Sequence, residues 1–122
     1  MLSEEQVAKV ISTIAEDMTG FIAASLVDLE SGMTLGMYTE RPDFDLTAAS
    51  AFNSELVKQK QKIMHVLGLT STLDDITLTL SEQIHIIRLV TPGTFLYLAA
   101  DRSATNLAIV RSAINRHADE LV

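Results

Sequence analysis

The stretch from Leu73 to Val90, LDDITLTLSEQIHIIRLV, decides the fold. Ile76, Leu78 and Leu80 alternate with small polar residues, the period of a strand with one covered face. Ser81-Glu82 leaves room only for a tight turn, and Gln83 to Val90 is a second, more apolar run. Strands joined by so short a link pair antiparallel.

Working outward, Thr91-Pro92-Gly93 reads as another turn. Proline presets its first central φ, and glycine is expected to supply the positive φ of a type II turn. Thr94 to Ala100 is then a third apolar run. Upstream, FIAASLVDL (Phe21–Leu29) is nearly continuous in apolar residues, as in a strand covered on both faces. Turn chemistry at Asp28 to Gly32 leads to Met33, Leu35 and Met37, which alternate with Thr34, Gly36 and Tyr38. That pattern predicts a half-buried partner strand completing a hairpin.

Helical spacing fills the remaining segments. Val7, Val10, Ile11, Ile14 and Met18 recur at three- and four-residue intervals, with Ser3 and Gln6 forming a capping box. Asp45 caps a long helix expected to run from Leu46 to Leu67 and to stop at Gly68. A final helix follows the Asp101-Arg102-Ser103 hinge, with Leu107, Val110, Ile114 and Leu121 as its buried stripe. Asp101 or Ser103 is expected to cap it. Helix, two strands, helix, three strands, helix is the order of an α+β domain, here read as one domain over residues 1–122.

Composition narrows the function. The chain has 122 residues, no Cys and a formal charge of −7. Without Cys there is neither a disulfide framework nor a thiolate zinc site. The negative charge opposes nucleic-acid phosphates and anionic lipid surfaces. No apolar run approaches the ~20 residues of a membrane-spanning helix, and MLSEEQ lacks the basic start of a signal peptide. A cytoplasmic protein is therefore expected.

No catalytic motif stands out. Ser103 lies outside any Gly-x-Ser-x-Gly elbow, and the glycines form neither a Walker loop nor a dinucleotide fingerprint. His65, His85 and His117 are scattered without metal-ligand spacing and read as surface or edge residues. Asp74-Asp75 reads as a solvated strand start, and KQKQK (Lys58–Lys62) as a solvated helix face rather than a phosphate site. No cofactor or metal is expected.

The middle helix is the exception. Projected at ~100° per residue, Phe52, Leu56 and Ile63 form one stripe, flanked by Ala49, Val66 and Leu67. Leu46, Val57 and Met64 extend it round one side. The apolar arc then spans roughly 180°, against ~100° for a helix resting on one sheet. The extra flank is expected to pack on another chain. The strand Ile76 to Leu80 carries neither Pro nor Lys to discourage pairing, so as a sheet edge it invites a partner strand. A homodimer about a two-fold axis follows.

The element order, the hairpin LVDLESGMTLG, the long middle helix, ITLTLSEQIHIIRLV and LYLAADRSATNLAIVRSAI together resemble the roadblock/dynein light chain family. The last strand ends in a similar Asp-bearing hinge, and Asn106-Leu107 matches an Asn-Leu segment often found in the final helix. The resemblance covers residues 3–122 and is closest to the short, stand-alone prokaryotic branch. It implies a five-stranded antiparallel sheet with the middle helix on one face and the terminal helices on the other, a profilin/longin-like roadblock fold. It also implies dimers of like chains or of paralogues, built through the third strand and middle helix. That places Ala49, Asn53, Val57, Lys60, Met64, Ile76, Thr77, Leu78 and Thr79 at the interface. Members are non-enzymatic scaffolds or regulators of small Ras-like GTPases, among them a gliding-motility member that acts as a GTPase-activating partner. Arg41, Ser54, Lys58, Gln61 and His65 are the residues set toward such a partner. The competing reading is a small-ligand sensor of related α+β fold, with five Met residues to line an adaptable pocket.

Overall fold

The structure, a computed structural model, describes residues 2–122. The elements are α1 (Glu4–Glu16), β1 (Phe21–Asp28), β2 (Thr34–Thr39), α2 (Leu46–Val66), β3 (Asp75–Thr79), β4 (Gln83–Thr91), β5 (Thr94–Asp101) and α3 (Leu107–His117), then a single 3-10 turn at Ala118–Leu121. All five strands join one antiparallel sheet in the order β2-β1-β5-β4-β3. Two strands are therefore edges: β2 and β3.

Two cores flank the sheet. On one face Val7, Ile11 and Ile14 of α1 and Val110, Ala113 and Ile114 of α3 pack on Leu26, Ile84, Ile86, Leu96 and Leu98. On the other, Leu46 and Val57 of α2 pack on Ile22, Val27, Ile87, Phe95 and Tyr97. The α+β expectation and the division of helices between the two faces hold. β1 and β5 are central and buried on both faces, which explains their unbroken apolar runs.

Local chemistry sets the boundaries. Ser3 Oγ accepts from Gln6 N while Gln6 Oε1 accepts from Ser3 N, closing the capping box at both ends. Asp45 accepts from Ala48 N and starts α2 at the expected residue. Gly32 takes φ +74 in the β1–β2 turn, a region side chains disfavour.

Four expectations need correction. Gly93 has no positive φ, so the β4–β5 turn is not type II. Neither Asp101 nor Ser103 caps α3: Asp101 Oδ1 accepts from Ser103 N and Oγ, closing a local turn. Asn106 is the cap and accepts from Ile109 N. Leu121 belongs to the 3-10 turn rather than to the helix. The alternation on β2 has the opposite phase to that expected. Gly36 is buried and Tyr38 half-buried, while Met33, Leu35 and Met37 are exposed. Gly36 is covered because α1 crosses there; a Cβ on it would lie 2.5 Å from Val7 Cβ.

Candidate functional site

The α2 face of the sheet is only half covered. Side chains anchor α2 over the β1–β2 side. Ser50 Oγ meets Ser25 Oγ at 2.9 Å and accepts from Thr34 Oγ1 at 3.2 Å, with both serines buried. Ser54 Oγ donates to the Leu29 carbonyl, and Lys58 Nζ donates to the Glu30 carbonyl. These small residues let the helix lie close to the β1–β2 hairpin. The helix accordingly packs mainly on β1 and β2.

That seating reverses the assignment of the two helix stripes. Val57 and Leu46, read as surplus, are the protomer core; Val57 is 0% exposed. Phe52, Leu56 and Ile63, read as the central stripe, look outward at 77%, 38% and 40% exposure. Val57 and Ser54 are thus unavailable to any partner, correcting both expectations. The physical reason is that Ser50 and Ser54 carry the polar character of an outer face, yet hydrogen bonds satisfy both where they are buried. The excess of apolar surface is real and lies one helix face away.

Beside this stripe runs the free edge. Leu80 N donates to the Gln83 carbonyl and Leu89 N to the Asp74 carbonyl, which fixes the alternation of the β3–β4 ladder. Ile76 and Leu78 consequently bond inward to β4, and the N–H and C=O groups of Asp75, Thr77 and Thr79 point away from the sheet. The side chains of Ile76 and Leu78 are half-buried on the α2 side, opposite Ile87 and His85. Arg111 of α3 meets Asp75 at 3.1 Å and bonds Thr77 Oγ1 at 3.0 Å from the other face. The single acidic side chain of β3 is thereby neutralised.

Under the open half of the face lies a polar chain. His85 Nε2 sits 2.7 Å from Gln83 Oε1 and its Nδ1 3.2 Å from Tyr97 Oη. Phe44, from the loop before α2, stacks edge-on against the ring. Burial holds His85 below its ordinary pKa, so it is neutral near pH 7. Burial raises Tyr97 to about 12, and the approach of the Asn53 side chain acts against that rise. These groups support the open face from below, and the hydroxyl of Ser25, the cross-strand neighbour of Tyr97, is bonded to Ser50.

The other sequence-derived residues separate by environment. Ala49, Asn53 and Met64 are half-buried along the exposed stripe's flank, and Lys60 is exposed next to it. Gln61 and His65 are exposed and, with Met64, line a groove of about 410 Å³ between the end of α2 and the β4–β5 turn. Lys58 is tied to the Glu30 carbonyl and to Glu55, well away from that groove. Arg41 lies at the far end of the molecule, paired with Asp101 at 3.3 Å. The Ser103 hydroxyl and backbone N–H, then Arg41, hold Asp101 below the usual carboxylate range. His117 is not the solvent residue expected: its ring bridges Asp17 and Glu120 at 2.5 and 2.6 Å. No group of three or more His, Cys, Asp or Glu among the described residues is arranged to hold a metal. No helix among them is long and apolar enough to cross a membrane.

No protein family and no curated protein matches the chain by sequence. Solved structures do match by fold. Similar structures include the gliding protein MglB from Thermus thermophilus, at TM-score 0.83 and 16% identity, covering 97% of this chain and 87% of that one. A Roadblock/LC7 domain from Streptomyces avermitilis gives TM-score 0.82 at 16% identity, over 93% and 92% of the two chains. MglC from Myxococcus xanthus gives 0.64 at 20% identity, over 95% and 96%. The fold is that of Roadblock/LC7 domains and MglB.

Proposed function

We propose that this chain, built on the Roadblock/LC7 fold, is a stand-alone roadblock-type regulatory scaffold that works as a dimer and docks a small Ras-like GTPase. The observation carrying the proposal is the exposed stripe Phe52, Leu56 and Ile63 standing beside an unpaired β3. A second copy meets both needs at once. A two-fold axis through Thr77 sets Thr77 against itself and Asp75 against Thr79, so every outward backbone group of the strand finds a partner. The same axis places Ile76 opposite Leu78 and brings two α2 stripes together, covering apolar surface that a lone protomer leaves in water.

The GTPase step rests on the family resemblance. In this reading the partner holds the nucleotide and its Mg²⁺, and the dimer biases its switch loops. An arginine supplied in trans is one way to stabilise the transferred phosphoryl group. Arg41 would first have to leave Asp101, so its part is tested rather than assumed.

Sedimentation at micromolar concentration checks the assembly: wild type runs as a dimer and Leu56→Asp as a monomer. A wild-type monomer removes the proposal's first half. GTP-hydrolysis assays with a GTPase recovered on immobilised protein check the second half. Stimulation equal in Arg41→Ala excludes the arginine; recovery of no GTPase excludes the partner.

A further inference from the structure

Three exposed apolar side chains stand at the edge opposite β3. Met33 is 68% exposed, Leu35 37% and Met37 38%, all within or next to β2. Glu40 N donates to the Ile22 carbonyl, and the β1–β2 register runs unbroken from Ala23–Thr39 to Leu26–Gly36. In that ladder Tyr38 and Gly36 bond inward, so the N–H and C=O groups of Met37 and Thr39 face away from the sheet. No Pro, Lys or Arg guards the stretch Met33 to Thr39. Next to Leu35, on the α1 side, an apolar cleft of about 330 Å³ opens between Leu2, Val7, Leu26, Leu121 and Val122, with Asp28 at its rim.

The charge along the β2 side is mainly negative. Between Lys9 and Arg41 the sequence holds no Lys, Arg or His, but five acids: Glu16, Asp17, Asp28, Glu30 and Glu40, of which Asp17 is already paired with Arg116 and His117. The first turn of α1, which crosses β2 at Gly36, adds the exposed Glu4 and Glu5. Asp28 is held ionised by the Ser31 hydroxyl and backbone N–H. Lys58 is a cation that does reach this side: it donates to the Glu30 carbonyl, pairs with Glu55 and, after Ser31, also lowers the Asp28 pKa.

From this we infer that the β2 edge and its adjoining cleft bind an extended, basic, apolar-alternating segment of a partner protein as a sixth strand. Backbone bonds to Met37 and Thr39 hold the segment, an apolar side chain enters the cleft beside Leu35, and basic side chains face the acidic rim. Strand addition of this kind draws affinity from the main chain and specificity from pockets. A second copy of this chain is disfavoured here, because it would set like charges together. The site is independent of the β3 dimer.

The test uses a fluorescein-labelled nonapeptide of alternating lysine and valine with leucine at its centre, and a glutamate–valine counterpart. Fluorescence anisotropy is expected to show saturable binding of the basic peptide below ~1 mM and none of the acidic one. Met37→Pro removes one outward N–H and leaves the bonds to β1, as proline is tolerated on edge strands. It is expected to weaken binding ~10-fold while circular dichroism stays as wild type. If that variant does not fold, Met37→Lys on the same edge is expected to weaken binding similarly by repelling the basic peptide. Equal binding of both peptides, no saturation, wild-type affinity in the folded edge variant, or amide shifts confined to β3 and α2 would each overturn the inference.

Discussion

The sheet ends in two edges of opposite character, although each is a short strand with outward backbone groups. β3 is uncharged apart from Asp75, which Arg111 neutralises, and it adjoins an exposed apolar helix stripe. β2 has α1 crossing one of its faces, α2 leaning toward the other, and acids around it. The difference originates in α2. Ser50, Ser54 and Lys58 pull the helix toward the β1–β2 hairpin and so uncover the β3 side. One edge is left matched to itself; the other repels its own copy. In the proposed dimer, the seating of α2 is what makes β3 rather than β2 the seam.

The largest effect is expected at the seam. Thr77→Pro deletes an outward N–H at the centre of β3 without touching the ladder to β4. Its proline also cannot pair across the two-fold axis. Dimer dissociation should rise more than ~100-fold, equivalent to about 2.7 kcal/mol, while the protomer keeps its fold. Sedimentation with parallel circular dichroism reads both. The matching change on β2, Met37→Pro, should leave the dimer intact, and a dimer lost in both variants would erase the distinction between the edges.

Next comes the anchor that uncovers β3. Ser50→Ala leaves Ser25 Oγ buried without its partner and should cost about 1–3 kcal/mol in chemical denaturation. The double change Ser25→Ala with Ser50→Ala removes the need on both sides and should recover most of that loss. A double variant as unstable as the sum of the singles would show that the pair does not tie α2 to β1.

These serines also mark the limit of what was legible. Element order, the caps at Ser3 and Asp45 and the single sheet could be read because strand and helix periods differ and cap chemistry is local. The apolar excess of α2 could be counted, but not which stripe faces inward. Periodicity ranks Ser50 and Ser54 as polar, whereas the fold buries both against bonding partners that lie 25 residues away in sequence. The same limit inverted β2. A methionine alternation looks like a core face until α1 crosses the other side, and the only local sign of that crossing is Gly36. A glycine between two apolar residues in a strand, with a helix due to pack nearby, was the available clue.

Gly36→Ala sharpens the contrast further. Its Cβ would meet Val7 Cβ at 2.5 Å and Cγ1 at 2.6 Å, and the α1 backbone behind them cannot retreat as a flexible side chain could. Overpacking of this kind costs typically about 1–3 kcal/mol. Thermal melting should fall accordingly while sedimentation still shows the dimer, because α1 crosses the sheet at the edge opposite β3. A dimer lost in Gly36→Ala would mean that the two edges communicate.

The smallest effect belongs to the far end of α1, where His117 joins Asp17 and Glu120 and Arg116 meets Asp17 at 3.4 Å. The hydrogen bond to Asp17, then that to Glu120, raises the His117 pKa above its ordinary 6.5. Because the folded value exceeds the unfolded one, the stabilisation is complete below about pH 6.5 and disappears as pH rises through the folded value. Asp17 is shifted downward, first by His117, so its share is lost only in acid, as pH falls through its depressed folded value. His85 works in the opposite sense: burial lowers its pKa, and its contribution falls away as pH drops below 6.5. Wild type alone would blend the two histidines, so the informative quantity is the melting-temperature gap between wild type and His117→Asn. That gap should be a few degrees at about pH 6 and should narrow by about pH 9. A gap independent of pH would mean that the ring holds α1 through packing rather than through charge.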